Sequence, residues 1–177
     1  MYDEVSKSWL YPFIMAGINT KVVRRSNAIA GYPYGKNFRY EESSMAGDGE
    51  DGKQKAMTAA AMLGAMMAKP GTEAKKAADS QMPKPGEGPS KSERDAGFYD
   101  LRFYTTLNDG GMIVAKVYGD KDPGYGSTSK ILAECGLCLV KDSTPKLGGV
   151  LTPSVAMGDA LLSRLQSNAG LTFSIES

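Results

Sequence analysis

Phe98–Tyr118, FYDLRFYTTLNDGGMIVAKVY, decides how the rest of the chain is read. Phe98–Leu107 and Met112–Tyr118 are rich in aromatic and β-branched residues, and Asn108-Asp109-Gly110-Gly111 between them is a hairpin signal. Alternation along a strand puts Tyr99, Leu101, Phe103, Thr105 and Leu107 on one face and turns Asp100 and Arg102 to the other. Downstream, the pattern predicts a helix over 127–140 with Ile131, Cys135 and Cys138 on one stripe. Thr152-Pro153 opens a further helix by a cap-then-proline pattern, with Met157, Leu161 and Leu165 in register. Asn168-Ala169-Gly170 ends it, and Leu171–Glu176 reads as a closing strand.

Upstream the signals are sparser. A helix begins near Pro12, with Ile14, Ile18, Val22 and Ile29 at near-helical spacing, and Gly31–Gly35 (GYPYG) stops it. Lys36–Ser43 then alternates as an extended segment does, with Phe38 and Tyr40 on one side. The expected fold class is α+β: a mostly antiparallel sheet with helices packed on one face, plus C-terminal helices. Residues 1–45 start the domain, 46–55 form an acidic Gly-rich loop, and 56–68 form an apolar Met/Ala helix. Residues 69–95, with Pro70, Pro83, Pro85 and Pro89, read as a linker, and 96–177 complete the same domain. No internal repeat is present.

The chain has 177 residues, a net charge of +1 and 41% apolar residues, which suits one ordinary domain with a core. A balanced charge makes general nucleic-acid binding a poor expectation. There is no histidine, so Ser-His-Asp and Cys-His catalysis and HExxH metal chemistry are excluded. Chemistry done by this chain alone must use carboxylates, lysines, tyrosines or the two thiols. Charge is unevenly spread: residues 1–40 carry +4 and residues 41–52 carry −5. The acidic stretch reads as a solvated loop, or less simply as a metal site, although its spacing lacks the ordered ligands of a calcium loop.

Two cysteines make no disulfide framework, so a reducing, intracellular setting is expected. The N-terminus has no signal-peptide pattern. Ala56–Ala68 would reach roughly 20 Å as a helix, short of the roughly 30 Å of bilayer hydrocarbon.

Cys135-Gly-Leu-Cys138 matches a CxxC motif, but it lies inside a helical pattern beside Ile131, where a thiol packs as a small apolar group. Gly124-Tyr-Gly126-Ser127 opens a helix after a strand, as a dinucleotide loop does, although the strand belongs to a hairpin and Pro123 interrupts the run. Gly124, Gly126 and Ser127 are therefore read as a helix start with a possible anion or cofactor contact. Arg24 and Arg25 point about 100° apart on a helix, so they read either as solvated surface or as one guanidinium facing a ligand anion. Met57, Met62, Met66 and Met67, flanked by Lys53, Lys55 and Lys69, suit packing in the core or against a partner helix, or docking against lipid or an acyl chain.

Several blocks resemble saccharopine dehydrogenase-like oxidoreductases. They are Val23–Ala28 (VRRSNA), Gly35–Glu41 (GKNFRYE), Gly88-Pro-Ser90 with Arg94 and Gly97-Phe98, Gly119–Tyr125 (GDKDPGY), and Gly148–Pro153 with Ala156-Met-Gly158. They occur in family order over nearly the whole chain. The resemblance is to the lipid-linked branch, which includes bacterial enoyl reductases acting in trans, and it implies a cytoplasmic protein peripheral to membranes or lipid droplets. It implies a parent protein more than twice this size that begins with a Rossmann domain for NAD(P), and it places this chain in the second half. Tyr2–Phe13 then reads as mid-protein and Met1 as a truncated start.

On that reading the chain is the substrate-binding or association half of an NAD(P)-dependent oxidoreductase, lipid-related and inactive alone. It binds no cofactor and no metal itself, and its partners are the missing Rossmann domain, further copies of itself and a lipid surface. Arg24, Arg25, Asn27, Tyr125 and Thr128 are the expected cleft-facing residues, and no catalytic residue is assigned. The alternative is a non-catalytic membrane-surface or protein-interaction module using the helix over 56–68.

Overall fold

The computed structural model describes residues 1–84, 86–107, 109–142, 144 and 147–176. Pro85, in the expected linker, and Asn108, in the expected turn, lie outside the described residues. The fold is α+β, with helices and two small antiparallel sheets. It divides into two compact units, Met1–Ala28 with Tyr32–Gly88, and Ile29–Gly31 with Pro89–Ser177.

In the first unit, β1 (Tyr2–Asp3), β2 (Ser8–Pro12) and β3 (Ser43–Met45) pair antiparallel in that order. The two N-terminal strands gave no sequence signal because they are short and their turn is made by one side chain. Asp3 Oδ2 accepts from both the Ser6 backbone N–H (2.8 Å) and the Ser6 hydroxyl (2.6 Å). Helix α1 covers Ala16–Ile29. Its expected apolar stripe is real but bare: Ile14, Ile18 and Val22 are all exposed.

Helix α2 runs Gly49–Met66 and packs on β2. It begins seven residues before the expected Ala56, so most of the acidic stretch read as a loop is helical. The cause is local: Asp48 accepts from the Gly49 N–H at 2.7 Å, and Glu50 and Asp51 sit in the first turn, where the helix dipole favours negative charge. The expected linker also holds two short helices, α3 (Glu73–Ser80) and α4 (Lys91–Ala96). Thr72 caps the first, and a Ser90–Glu93 capping box starts the second.

The second unit is built on β4 (Tyr99–Thr106), β5 (Met112–Gly119) and β6 (Leu171–Glu176), antiparallel in that order. Register places Tyr99, Gly119 and Leu171 in one row, Leu101, Val117 and Phe173 in the next, and Phe103, Ala115 and Ile175 in the third. Helices α5 (Gly126–Lys141) and α6 (Pro153–Asn168) pack together, and α6 also packs on β6. Their shared core is Cys138, Met157 and Leu161, with Cys135, Ala156, Ala160 and Leu165 against it. Burying a side chain such as Leu161 contributes about 1.5–3 kcal/mol.

Both CxxC sulfurs thus serve packing. Burial pushes both thiols above the ordinary cysteine range, the opposite of a reactive pair. Arg164 on α6 ties the helices further, reaching Glu134 Oε2 at 3.0 Å and both carboxylate oxygens of Asp142. Gly158 interrupts α6 with φ 47° and ψ −131°, a conformation that glycine alone tolerates well. Among the described residues, no helix is long and apolar enough to cross a membrane.

Candidate functional site

A dense polar joint of the second unit lies where β4 begins, β5 ends, β6 begins and α5 starts. At its centre the Asp122 side chain accepts three backbone N–H bonds. Gly124 and Tyr125 donate to Oδ1, each at 3.0 Å, and Gly126 donates to Oδ2 at 2.6 Å. The Asp122 backbone is fixed as well, its N–H donating to the Arg94 carbonyl (3.2 Å) and its carbonyl accepting from Ser127 (2.8 Å). Burial works to raise this carboxyl, but the N–H groups of Gly126, Tyr125 and Gly124 outweigh it and hold it below the ordinary aspartate range.

Glycines make this closeness possible. A Cβ at Gly97 would lie 2.6 Å from the Asp122 Cβ, and one at Gly126 would lie 2.7 Å from Asp122 Oδ2. A Cβ at Gly119 would enter the Tyr99 ring, and one at Gly170 would enter the Asp120 carboxylate. The Tyr99 hydroxyl shares a 2.8 Å hydrogen bond with that of buried Ser127, which joins the first residue of β4 to the start of α5.

Lysines neutralise the carboxylates around this core. Lys130 meets Asp120 at 3.1 Å, and Lys121 meets Asp95 on α4 at 3.0 Å. Hydrogen bonds from Lys91 and Lys121 hold the Asp95 carboxyl down at about 2.

The expected site residues can now be placed. Gly124 and Gly126 do open α5, but their N–H groups are spent on Asp122, in the place a phosphate would need. Ser127 is buried against Tyr99. The Thr128 hydroxyl donates to the Pro123 carbonyl at 2.6 Å, and Tyr125 exposes its ring.

Arg24, Arg25 and Asn27 belong to the first unit. Buried Asn27 donates to the Gly35 carbonyl (2.9 Å) and accepts from the Tyr34 N–H (3.1 Å), so it shapes the GYPYG turn. Arg24 donates to the Tyr40 carbonyl at 3.4 Å, and Asn19 donates to Glu42 at 2.9 Å. Together these bonds lay the segment after the turn back along α1. Burial, then the hydrogen bond to Glu42, pushes the Tyr40 hydroxyl up to about 12. Arg25 is exposed on α1.

Sequence reasoning missed Asp122, Asp120, Tyr99 and Lys130. The signal for Asp122 was available: an Asp-Pro-Gly turn just ahead of a helix marks a residue whose carboxylate closes backbone N–H groups.

Comparison with known proteins adds a chemical direction. The chain is 39% identical over 171 residues to a trans-acting enoyl reductase of Mycobacterium ulcerans, and 37% identical over 171 residues to one of Mycobacterium bovis. A Mycobacterium tuberculosis protein, 39% identical over 168 residues, carries the same name provisionally. Each match takes in 92% of this chain and 40% of the relative. No protein-family model matches the sequence, and no solved structure matches it.

The expected saccharopine dehydrogenase-like membership is therefore corrected, together with the lipid-droplet association drawn from it: the relatives are trans-acting enoyl reductases. The reason is visible in the fold. Val23–Ala28 lies within α1, and the other blocks are largely turns, helix starts and glycines, several of them close-packed, which record how the backbone folds and not which substrate is reduced. This chain is similar to trans-acting enoyl reductases over about two-fifths of their length.

Proposed function

We propose that this chain is the part of an enoyl reductase acting in trans that shapes the acyl site, with the nicotinamide nucleotide held by residues outside it. One observation carries the reading: identity of 37–39% to proteins of that name runs through 92% of the chain. The filled loop at Gly124–Gly126 supports the second half of the proposal, because Asp122 already takes the N–H groups that a pyrophosphate would use.

An enoyl group is a carbon–carbon double bond conjugated to a carbonyl, and NAD(P)H supplies the hydride that reduces it. What this chain offers such a reaction is apolar wall and exclusion of water. Its second unit is anchored for that purpose: the Asp122 joint fixes one end of the sheet, and Arg164 fixes α5 to α6. A substrate presented by another enzyme need not be recognised as a free molecule.

The test is direct. The longer protein, given an enoyl thioester and NADPH, should consume nicotinamide absorbance, while titration calorimetry of the 177-residue chain with NADPH should give no binding heat. Micromolar NADPH binding by this chain alone would overturn the assignment of the nucleotide site to residues elsewhere.

A further inference from the structure

We propose that the outward face of α1 is a docking surface for the enzyme that presents the substrate, and that this partner brings an acidic amphipathic helix to it. The inference rests on the reading above, because a reductase acting in trans must touch the protein that carries its substrate. The observation is a pair of rows on one helix. At about 100° per residue, Lys21 falls between Arg24 and Arg25, so the three make one cationic strip. Ile18 and Val22 run beside it, and Ile14 continues their line one turn earlier at the same four-residue spacing.

Both rows meet water. Ile14, Ile18 and Val22 are 54%, 59% and 43% exposed, and Lys21, Arg24 and Arg25 are exposed beside them. The far side of the helix is the one that packs: Asn27 is buried there and ties α1 to the GYPYG turn. Arg24 donates a 3.4 Å bond to the Tyr40 carbonyl, and its fork carries further N–H groups. α1 itself contains no acidic residue.

Charge complementarity selects the occupant, and the aliphatic row narrows it. A nucleic acid would neutralise the cations and leave Ile18 and Val22 in water. An anionic bilayer seats surface helices through Trp, Phe and Leu, and this row holds none of them. Permanent contacts within one protein run more apolar, while here three cations share the face equally with three aliphatic residues. A helix with an acidic row beside an apolar row covers both halves at once, in a contact that can form and break. The β-branched side chains suit it, because they are stiff and lose little freedom on packing.

The experiment follows the fluorescence anisotropy of two labelled helical peptides, one with a glutamate row beside a leucine row and one with lysine in place of each glutamate. The 177-residue chain and the longer protein should both bind the glutamate peptide, at least about tenfold more tightly than the lysine peptide. Lys21→Glu combined with Arg24→Glu should exchange that preference, a gain that a misfolded variant could not show. Val22→Asp should weaken the glutamate peptide several-fold. Sodium chloride raised from about 0.05 M to about 0.3 M should weaken it too, as screening of exposed charges requires.

Failure to bind the glutamate peptide, or equal binding of both peptides, overturns the inference. So does tighter binding to vesicles of phosphatidylcholine and phosphatidylglycerol, or to duplex DNA, that is lost in the doubly reversed variant. Binding by the 177-residue chain but not by the longer protein overturns it as well, because the rest of that protein would then be what covers α1. None of these readouts depends on turnover. They can therefore fail while NADPH consumption upholds the enoyl reductase reading, or succeed while that reading falls.

Discussion

Two glycine-rich approaches to helices, Ala46–Gly52 before α2 and Asp120–Gly126 before α5, look unlike in sequence and turn out to share a device. In each, an aspartate ahead of the helix, adjacent to it in one case and four residues away in the other, accepts backbone N–H where the helix starts. They differ in how much depends on it. Asp48 accepts one N–H, from Gly49, on an exposed turn, and α2 is held independently by its packing on β2. Asp122 accepts three N–H groups and is wedged against Gly97 and Gly126. The lesson is that glycines before a helix report close approach of something, and that something can be the protein's own carboxylate.

The contrast can be broken most severely at Gly97. Gly97→Ala puts a methyl into Asp122 and should cost about 1–3 kcal/mol by overpacking, read from urea unfolding, whereas Gly49 has open space and only its positive φ to oppose a substitution. Asp122→Ala should come next, with a loss roughly two to three times that of Asp48→Ala, in proportion to the N–H groups orphaned. Equal losses would mean that the two caps are equivalent after all. Asp48→Ala itself should cost about 0.5–1 kcal/mol.

Acid sharpens the same comparison. The Asp122 carboxyl lies below its ordinary value in the folded protein, so it contributes stability that is full above the unfolded aspartate pKa of about 3.9 and is lost as pH falls through the lower folded value. Asp95, held at about 2, acts in the same window. Unfolding midpoints followed from pH 5 towards pH 2 should therefore fall, and Asp122→Asn should flatten that fall visibly. The smallest effect is the most diagnostic for the loop. Asp122→Ala frees the N–H groups of 124–126, so inorganic phosphate should raise its melting temperature slightly more than it raises that of the unsubstituted chain. No difference would show that the freed loop does not keep its shape.

Much of the second unit was readable in advance because its signals are local. The β4–β5 hairpin has a β-rich run of eight residues on each side, α6 has its proline start, and β6 has a glycine just before it. Leu171–Glu176 coincides with its expected span. The start of α2 was misread because acidic, glycine-rich composition describes both a solvated loop and a charged first turn, and only Asp48 decides between them. The candidate site was harder for a physical reason. Arg24 and Asn27 look like ligand-binding residues in a sequence, yet each meets backbone that follows it closely in the chain, Gly35 and Tyr34 for one and Tyr40 for the other. Side chains that hold a turn and side chains that hold a ligand are the same residue types, and spacing alone does not separate them.

The break at Gly158 divides α6 into a short leading turn, Pro153–Met157, and the long run that carries Leu161, Arg164 and Leu165. Helical cooperativity passes through an uninterrupted ladder of amide bonds, and here the ladder is cut. The leading turn is therefore coupled to the rest through its side chains and not through amide bonds, because Ala156 and Met157 pack in the core shared by α5 and α6. A ligand or neighbouring chain that pulled on this turn would act on that core directly, by withdrawing Met157, and not along the helix.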